Sequence, residues 1–131
     1  MEENRYERHF LLDGFGRDGQ KKLSEAKVLI VGVGGLGSPV AMYLASAGIG
    51  KIGLIDADVV DVTNLQRQII HSESSVGVDK VVSAKSRIAE LNSETEVITY
   101  NFFFDVNNAV EQETFLEVAG TDTRWLQRLN N

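Results

Sequence analysis

Continuous apolar runs alternate along this chain with segments whose apolar residues recur every three or four positions. Val28-Leu29-Ile30-Val31 is one such run. It is of the kind a parallel strand buried on both faces requires, and it predicts a first strand over 27–32. Lys51-Ile-Gly-Leu-Ile-Asp56 predicts a second strand over 51–56, and a third is predicted over 95–104, with Phe102-Phe103-Phe104 as a buried aromatic stretch. Between the first two, 35–47 places Leu36, Val40, Tyr43, Leu44 and Ala47 at helical spacing. Pro39 falls in the first turn of that helix, where its missing N–H costs little, and Gly48 and Gly50 punctuate its end. Residues 77–92 predict another helix, with Val81, Ala84, Ile88 and Leu91 on one face. Short helices are predicted over 4–12 and 18–26, and a further one over 109–118. Residues 57–76 lack a period and carry most of the polar candidates, and 119–131 have no assignment.

The predicted order is helix, helix, then β-α-β-α-β-α. Such alternation implies an α/β fold: a Rossmann-like, mainly parallel sheet with flanking helices, right-handed crossovers and two short helices ahead of it. Ligands of such sheets sit beyond the carboxyl ends of the strands. The expectation is a single domain over 1–131.

Composition narrows the functional classes. With 131 residues, 43% apolar and 24% charged, the chain is long enough for one domain with a real core. A net charge of −6 argues against a general nucleic-acid surface. No cysteine is present, which excludes disulfides, thiolate zinc sites and a catalytic thiol within this chain. No apolar run approaches membrane-spanning length. The charged start Met1-Glu-Glu-Asn-Arg-Tyr-Glu-Arg8 has no apolar stretch of a signal peptide. The expected location is cytoplasmic.

Chemistry concentrates after the first strand. Gly32, Gly34 and Gly37 match G-x-G-x-x-G, with Gly35 beside them, between a predicted strand and helix. Such a loop turns tightly and turns free N–H groups and a positive dipole end toward phosphate. The same glycines would also permit close helix–sheet packing. Asp56 ends the second strand about 20 residues on, where an acid takes ribose hydroxyls of NAD or of ATP alike. Asp58 contacts a metal or faces water. Asn64, Gln66, Arg67 and Gln68 form a polar loop in which Arg holds phosphate bidentately and the amides fix ribose or phosphate. Lys80 falls near a helix N-terminus, against the dipole, which hints at a duty other than capping. His9 and His71 read as surface or packing residues.

Taken together, Arg5-Tyr6-Glu7-Arg8, Gly14-Phe15, Gly19-Gln20, the run from Val28 to Ser38, Tyr43-Leu-Ala-Ser-Ala-Gly48-Ile-Gly50, Asp56-Ala-Asp58 and Asn64-Leu-Gln-Arg-Gln68 resemble the ThiF/MoeB/HesA adenylyltransferases. These are bacterial relatives of ubiquitin-activating enzymes. The resemblance is dense over 5–101, and the Asn-Leu-Gln-Arg-Gln loop separates it most clearly from ordinary dehydrogenases. It implies ATP-dependent adenylylation of the C-terminal glycine carboxylate of a ubiquitin-like sulfur-carrier protein, of the thiamine or molybdopterin type, with release of pyrophosphate. By resemblance, the glycine loop, Asp56, Asp58, Asn64, Gln66, Arg67 and Lys80 hold ATP, with Arg67 and Lys80 also serving the reaction. Arg8 aligns with an arginine that reaches into the partner subunit's site, which implies a homodimer. Asp122 of Thr121-Asp122 matches a late aspartate that meets Mg²⁺.

This sequence departs from the family at its end. The family's sheet continues further and carries zinc-binding Cys-x-x-Cys pairs and much of the carrier-binding surface, so no zinc site is expected here. After Thr121-Asp122 the family's Asn is missing and 102–131 diverge. The chain therefore reads as the nucleotide-binding part of an adenylyltransferase with a truncated end. Two alternatives stand beside the enzyme: a non-catalytic nucleotide-binding or dimerisation module of the same family, and an NAD-dependent oxidoreductase domain.

Overall fold

A computed structural model describes residues 4–103. Strands β1 (Lys27–Val31), β2 (Lys51–Ile55) and β3 (Glu96–Tyr100) form a parallel sheet in that order. The register runs from Lys27–Lys51–Glu96 at the amino ends to Val31–Ile55–Tyr100 at the carboxyl ends. Two short helices, α1 (Glu7–Phe10) and α2 (Gly16–Glu25), precede the sheet. Helix α3 (Gly37–Ala47) joins β1 to β2, and α4 (Lys80–Leu91) follows β2 and leads to β3. Single turns of 3₁₀ helix, Val62–Asn64 and Glu73–Ser75, shape the stretch before α4.

Side chains alternate across a strand. Val28, Ile30, Ile52, Leu54 and Val97 thereby share one face and pack with Ala41, Ala45, Val81, Ala84 and Ile88 in a single core. The α4 face expected from sequence is the one observed, with Val81, Ala84 and Ile88 buried.

Helix α3 is rotated from its expected phase. Ser38, Ala41 and Ala45 face the core, whereas Leu36, Val40 and Tyr43 are 86%, 47% and 76% exposed. The helical period was legible, but the core side is the small-residue side, because small side chains let α3 approach the sheet and α4 closely. The predicted strand ends also shift. β1 is not buried on both faces: Val31 is exposed, and β1 is an edge of the sheet among the described residues. β3 stops at Tyr100 and Phe103 is exposed, so the aromatic stretch does not extend the strand as a buried element. Phe104, the helix expected over 109–118 and Thr121-Asp122 lie outside the described residues.

A polar cluster at the amino ends of the strands anchors the N-terminal segment. The Arg5 guanidinium donates to the Leu91 carbonyl at 3.0 Å. Asn92 is buried, and its Nδ2 donates to the Tyr6 hydroxyl at 2.6 Å and to the Ala45 carbonyl at 2.9 Å. The Tyr6 hydroxyl in turn donates to Glu94 at 3.0 Å, and burial raises the phenol's pKa, which keeps that proton in place. Gln20 Nε2 donates to the Ala47 carbonyl at 2.9 Å, and its Oε1 accepts from His9 Nδ1 at 2.6 Å. The Arg-Tyr pair and Gln20 thus tie α1 and α2 to the ends of α3 and α4.

Replacing Asn92 by Ala strips a buried donor from two acceptors. We expect it to cost about 1–3 kcal/mol of stability, measured as a lower urea midpoint. Tyr6→Phe costs less, because Asn92 keeps its bond to Ala45.

Candidate functional site

β1 leaves the sheet at Gly32, whose φ of 92° lies in the region that favours glycine. The Gly32 N–H donates to the Ile55 carbonyl at 2.8 Å, which extends the β1–β2 pairing by one bond. Val33 is fully buried. Its N–H donates to Asp56 Oδ2 at 2.8 Å, and its carbonyl accepts from His71 Nε2 at 3.1 Å. The chain then turns through Gly34 and Gly35 into α3. At Gly37 a Cβ would collide with the Gly32 carbonyl oxygen. Among the described residues, no hydrogen bond engages the N–H groups of Gly34, Gly35, Leu36 or Gly37. Among the described residues these are four unbonded donors at the positive end of an eleven-residue helix, an arrangement that favours an anion, and the loop is a candidate cradle for one.

Asp56 stands beside this cradle because the register sets the end of β2 against the end of β1. Its Oδ1 accepts from the Asp58 N–H at 2.8 Å and its Oδ2 from Val33. An ionised carboxylate has about four acceptor positions, so capacity remains for hydroxyl donors. The segment after Asp56 zips onto the start of α4: Lys80 N–H donates to the Asp58 carbonyl at 2.9 Å, and Val60 N–H to Val78 at 2.8 Å. This places the Lys80 side chain, only 8% exposed, with its ammonium 3.9 Å from the Asp58 carboxylate. That is beyond hydrogen-bond reach, and among the described residues no hydrogen bond engages the ammonium. A mostly buried cation so weakly compensated favours an anion beside it.

In the polar loop, the Asp61 carboxylate accepts from the Thr63 N–H and hydroxyl at 2.9 and 2.7 Å, bonds that hold its pKa below the ordinary value. Asn64 Oδ1 accepts from the Asp61 N–H at 2.9 Å, so this amide oxygen caps a turn and only its NH₂ remains for a ligand. Arg67 is exposed and donates to the Thr63 carbonyl at 3.2 Å. Gln66 is exposed, and no hydrogen bond holds its side chain among the described residues. Arg8 is exposed on α1, on the segment anchored at the amino ends of β2 and β3. The fold therefore brings Gly32, Gly34, Gly35, Gly37, Asp56, Asp58 and Lys80 to one end of the sheet and Arg8 to the other. Asp122 lies outside the described residues.

Gln68, which the sequence placed in the polar loop, belongs to this region together with two side chains it did not assign to a site, Ser38 and His71. Gln68 is buried beside Gly34, and among the described residues neither its Oε1 nor the buried Ser38 hydroxyl at the start of α3 has a hydrogen-bond partner. His71 is buried as well, and its Nδ1 lies 2.7 Å from the Ser83 hydroxyl. Because a carbonyl only accepts, His71 Nε2 carries the proton on the Val33 bond and Nδ1 accepts from Ser83. Burial lowers the His71 pKa from 6.5; the bond to Val33 and Asp56 oppose the shift, and Lys80 adds to it. The one sequence signal for these roles is position: Gln68 and His71 flank the buried Ile70 within a polar loop.

The ThiF family model matches residues 6–124. This chain belongs to the ThiF family. Among curated ThiF-family relatives, the adenylyltransferase and sulfurtransferase MOCS3-1 of Zea mays is 50% identical over 107 residues, 82% of this chain and 23% of the relative. The MOCS3 of Culex quinquefasciatus is 50% identical over 127 residues, 93% of this chain and 29% of the relative. Among solved structures, E. coli MccB with ATP gives a TM-score of 0.74 at 38% identity, covering 84% of this chain and 35% of that one. E. coli tRNA N6-threonylcarbamoyladenosine dehydratase TcdA, in complex with ATP, gives 0.73 at 36%, covering 76% and 41%. The chain thus spans about a quarter of the length of the two curated relatives.

Gly37→Ala should separate the two ends of the loop, because its Cβ meets backbone rather than a movable side chain. We expect a stability loss of about 1–3 kcal/mol with loss of anion binding at the cradle, measured by urea denaturation and calorimetry.

His71 also sets a pH dependence. With its folded pKa depressed, the unfolded chain binds more protons between that value and 6.5. Its contribution to stability is therefore intact above 6.5 and declines as pH falls below it. His71→Gln should give a flatter stability profile than the parent between pH 7 and 5, measured as the difference between their urea midpoints.

Proposed function

We propose that the chain supplies the ATP-binding part of an adenylyltransferase whose adenylyl acceptor is the C-terminal carboxylate of a ubiquitin-like sulfur-carrier protein. The observation that carries this reading is the cradle of four free N–H groups with the under-compensated Lys80 ammonium and Asp56 at the same end of the sheet. ATP-bound MccB and TcdA support it as structural neighbours, and the MOCS3 relatives support the reaction class. The chain covers only part of each.

In the proposed reaction a carrier C-terminal carboxylate oxygen attacks the α-phosphorus of ATP. The α–β bridging bond breaks, and its electron pair leaves on pyrophosphate. Both reactants are anions, so the barrier falls when positive groups are preorganised around the phosphates. In this reading the cradle amides and Lys80 supply that field, Arg67 of the polar loop adds a guanidinium, Asp56 accepts from ribose hydroxyls, and Asn64 and Gln66 offer amide donors. Among the described residues, no three carboxylates or imidazoles converge on a point. This fits Mg²⁺ arriving on the nucleotide with one or two protein oxygens rather than in an all-protein cage; Asp58, and Asp122 by resemblance, are the candidates. Mg²⁺ would neutralise charge developing on the phosphates.

Arg8 is exposed on a segment anchored at the end of the sheet opposite this cradle. We read it as a residue donated to a second copy, so the proposed active assembly is a homodimer.

Mg-ATP should bind this chain more tightly than NAD in calorimetry; tighter NAD binding would overturn the reading. Arg67→Ala and Lys80→Ala should each weaken Mg-ATP by about 10- to 100-fold, the value of a charge-assisted hydrogen bond, and leave adenosine binding nearly unchanged. Pyrophosphate exchange into ATP, dependent on an added carrier protein, tests the full reaction.

A further inference from the structure

Val33 is held through both of its flanking peptide groups. Asp56 takes its N–H at 2.8 Å, and His71 Nε2 takes its carbonyl at 3.1 Å. The grip on the carbonyl has a specific consequence. In an α-helix the carbonyl of residue 33 is the acceptor for the N–H of residue 37. Here His71 occupies that carbonyl, α3 starts at Gly37, and the Gly37 N–H stays unbonded among the described residues. His71 is in turn held by a second group. Ser83, buried on α4, donates to Nδ1 at 2.7 Å and so selects the tautomer that carries the proton on Nε2.

We infer that His71 is a positioning residue for the glycine loop: oriented by Ser83, it holds the Val33 carbonyl so that α3 begins at Gly37 and the loop amides stay free for an anion. Asp56 and His71 then act as a pair, each holding one of the two successive peptide groups that flank the Val33 Cα. Ser83 lies on α4 three residues after Lys80, so the loop and the buried ammonium are positioned from one helix. For its binding arm this inference rests on the nucleotide reading above; for its geometric arm it does not.

The test uses the full chain and three variants: His71→Phe, His71→Gln and Ser83→Ala. The first readout needs no ligand. Releasing the Val33 carbonyl should loosen the residue and with it the Val33 N–H bond to Asp56, so amide exchange at Val33 should accelerate in His71→Phe while the core amides of Ile52 and Leu54 keep their protection, and His71→Gln should restore Val33 because its amide donates to the same carbonyl. Nitrogen-15 spectra of the parent should show His71 protonated at Nε2 alone. The second readout is Mg-ATP affinity, which should fall about three- to tenfold in His71→Phe, the scale of one hydrogen bond, and recover in His71→Gln. If His71→Phe does not fold, Ser83→Ala decides: it should raise the share of the Nδ1-protonated tautomer and speed Val33 exchange. Unchanged Val33 exchange in a folded His71→Phe or in Ser83→Ala, or a parent imidazole protonated at Nδ1, would overturn the inference. A parent chain that fails to bind Mg-ATP yet shows the expected Val33 exchange would overturn the nucleotide reading and support the positioning role.

Discussion

The contact between the Gly37 backbone and the Gly32 carbonyl leaves no room for a side chain, and the site depends on it. It brings the end of β1 directly against the first residue of α3. In the intervening chain Val33 is fully buried, while among the described residues no hydrogen bond engages the amides of Gly34 to Gly37. The sheet register does the rest. Val31 lies beside Ile55, so the residue after β2 is Asp56 at the level of the loop, within reach of the Val33 N–H.

Charge is distributed unevenly around that frame. The chain as a whole carries −6, yet the cradle combines a helix N-terminus with the Lys80 ammonium, and Asp58 sits 3.9 Å from that ammonium rather than hydrogen-bonded to it. Exposed charges are screened beyond about 8–10 Å at physiological ionic strength, whereas buried ones are screened less. An anion in the cradle therefore feels the local amides and Lys80 more than the distant surface carboxylates. Arg8 takes no part in this within one chain, because Tyr6, Asn92 and Gln20 fasten its segment to the opposite end of the sheet.

Much of this was readable from the amino acids, and what was not has a physical reason. Three apolar runs gave three strands, and the glycine spacing with Asp56 pointed to the candidate site, because both follow backbone requirements that few residues meet. The phase of α3 was misread: Leu36, Val40 and Tyr43 mark the large-residue side, while burial went to Ser38, Ala41 and Ala45. Helical spacing records a period, not which side approaches a sheet. The aromatic residues after Tyr100 suggested a longer strand than pairing supports. His71 and Ser83 were invisible as site residues, and Gln68 was expected in the polar loop but not beside Gly34, because these placements come from contacts across the fold: His71 to Val33 spans 38 positions. No local pattern encodes such a contact.

The central claim is that a nucleotide triphosphate occupies the glycine cradle at the carboxyl ends of the strands. Titrating the nitrogen-15-labelled chain with Mg-ATP and following every backbone amide tests it most directly. The account predicts saturable shifts concentrated at Gly34, Gly35, Leu36 and Gly37, with smaller ones at Asp56 and Lys80. Shifts confined to the cleft lined by Tyr6, Arg17 and Glu94 at the other end of the sheet, or no saturable shift at all, would contradict it.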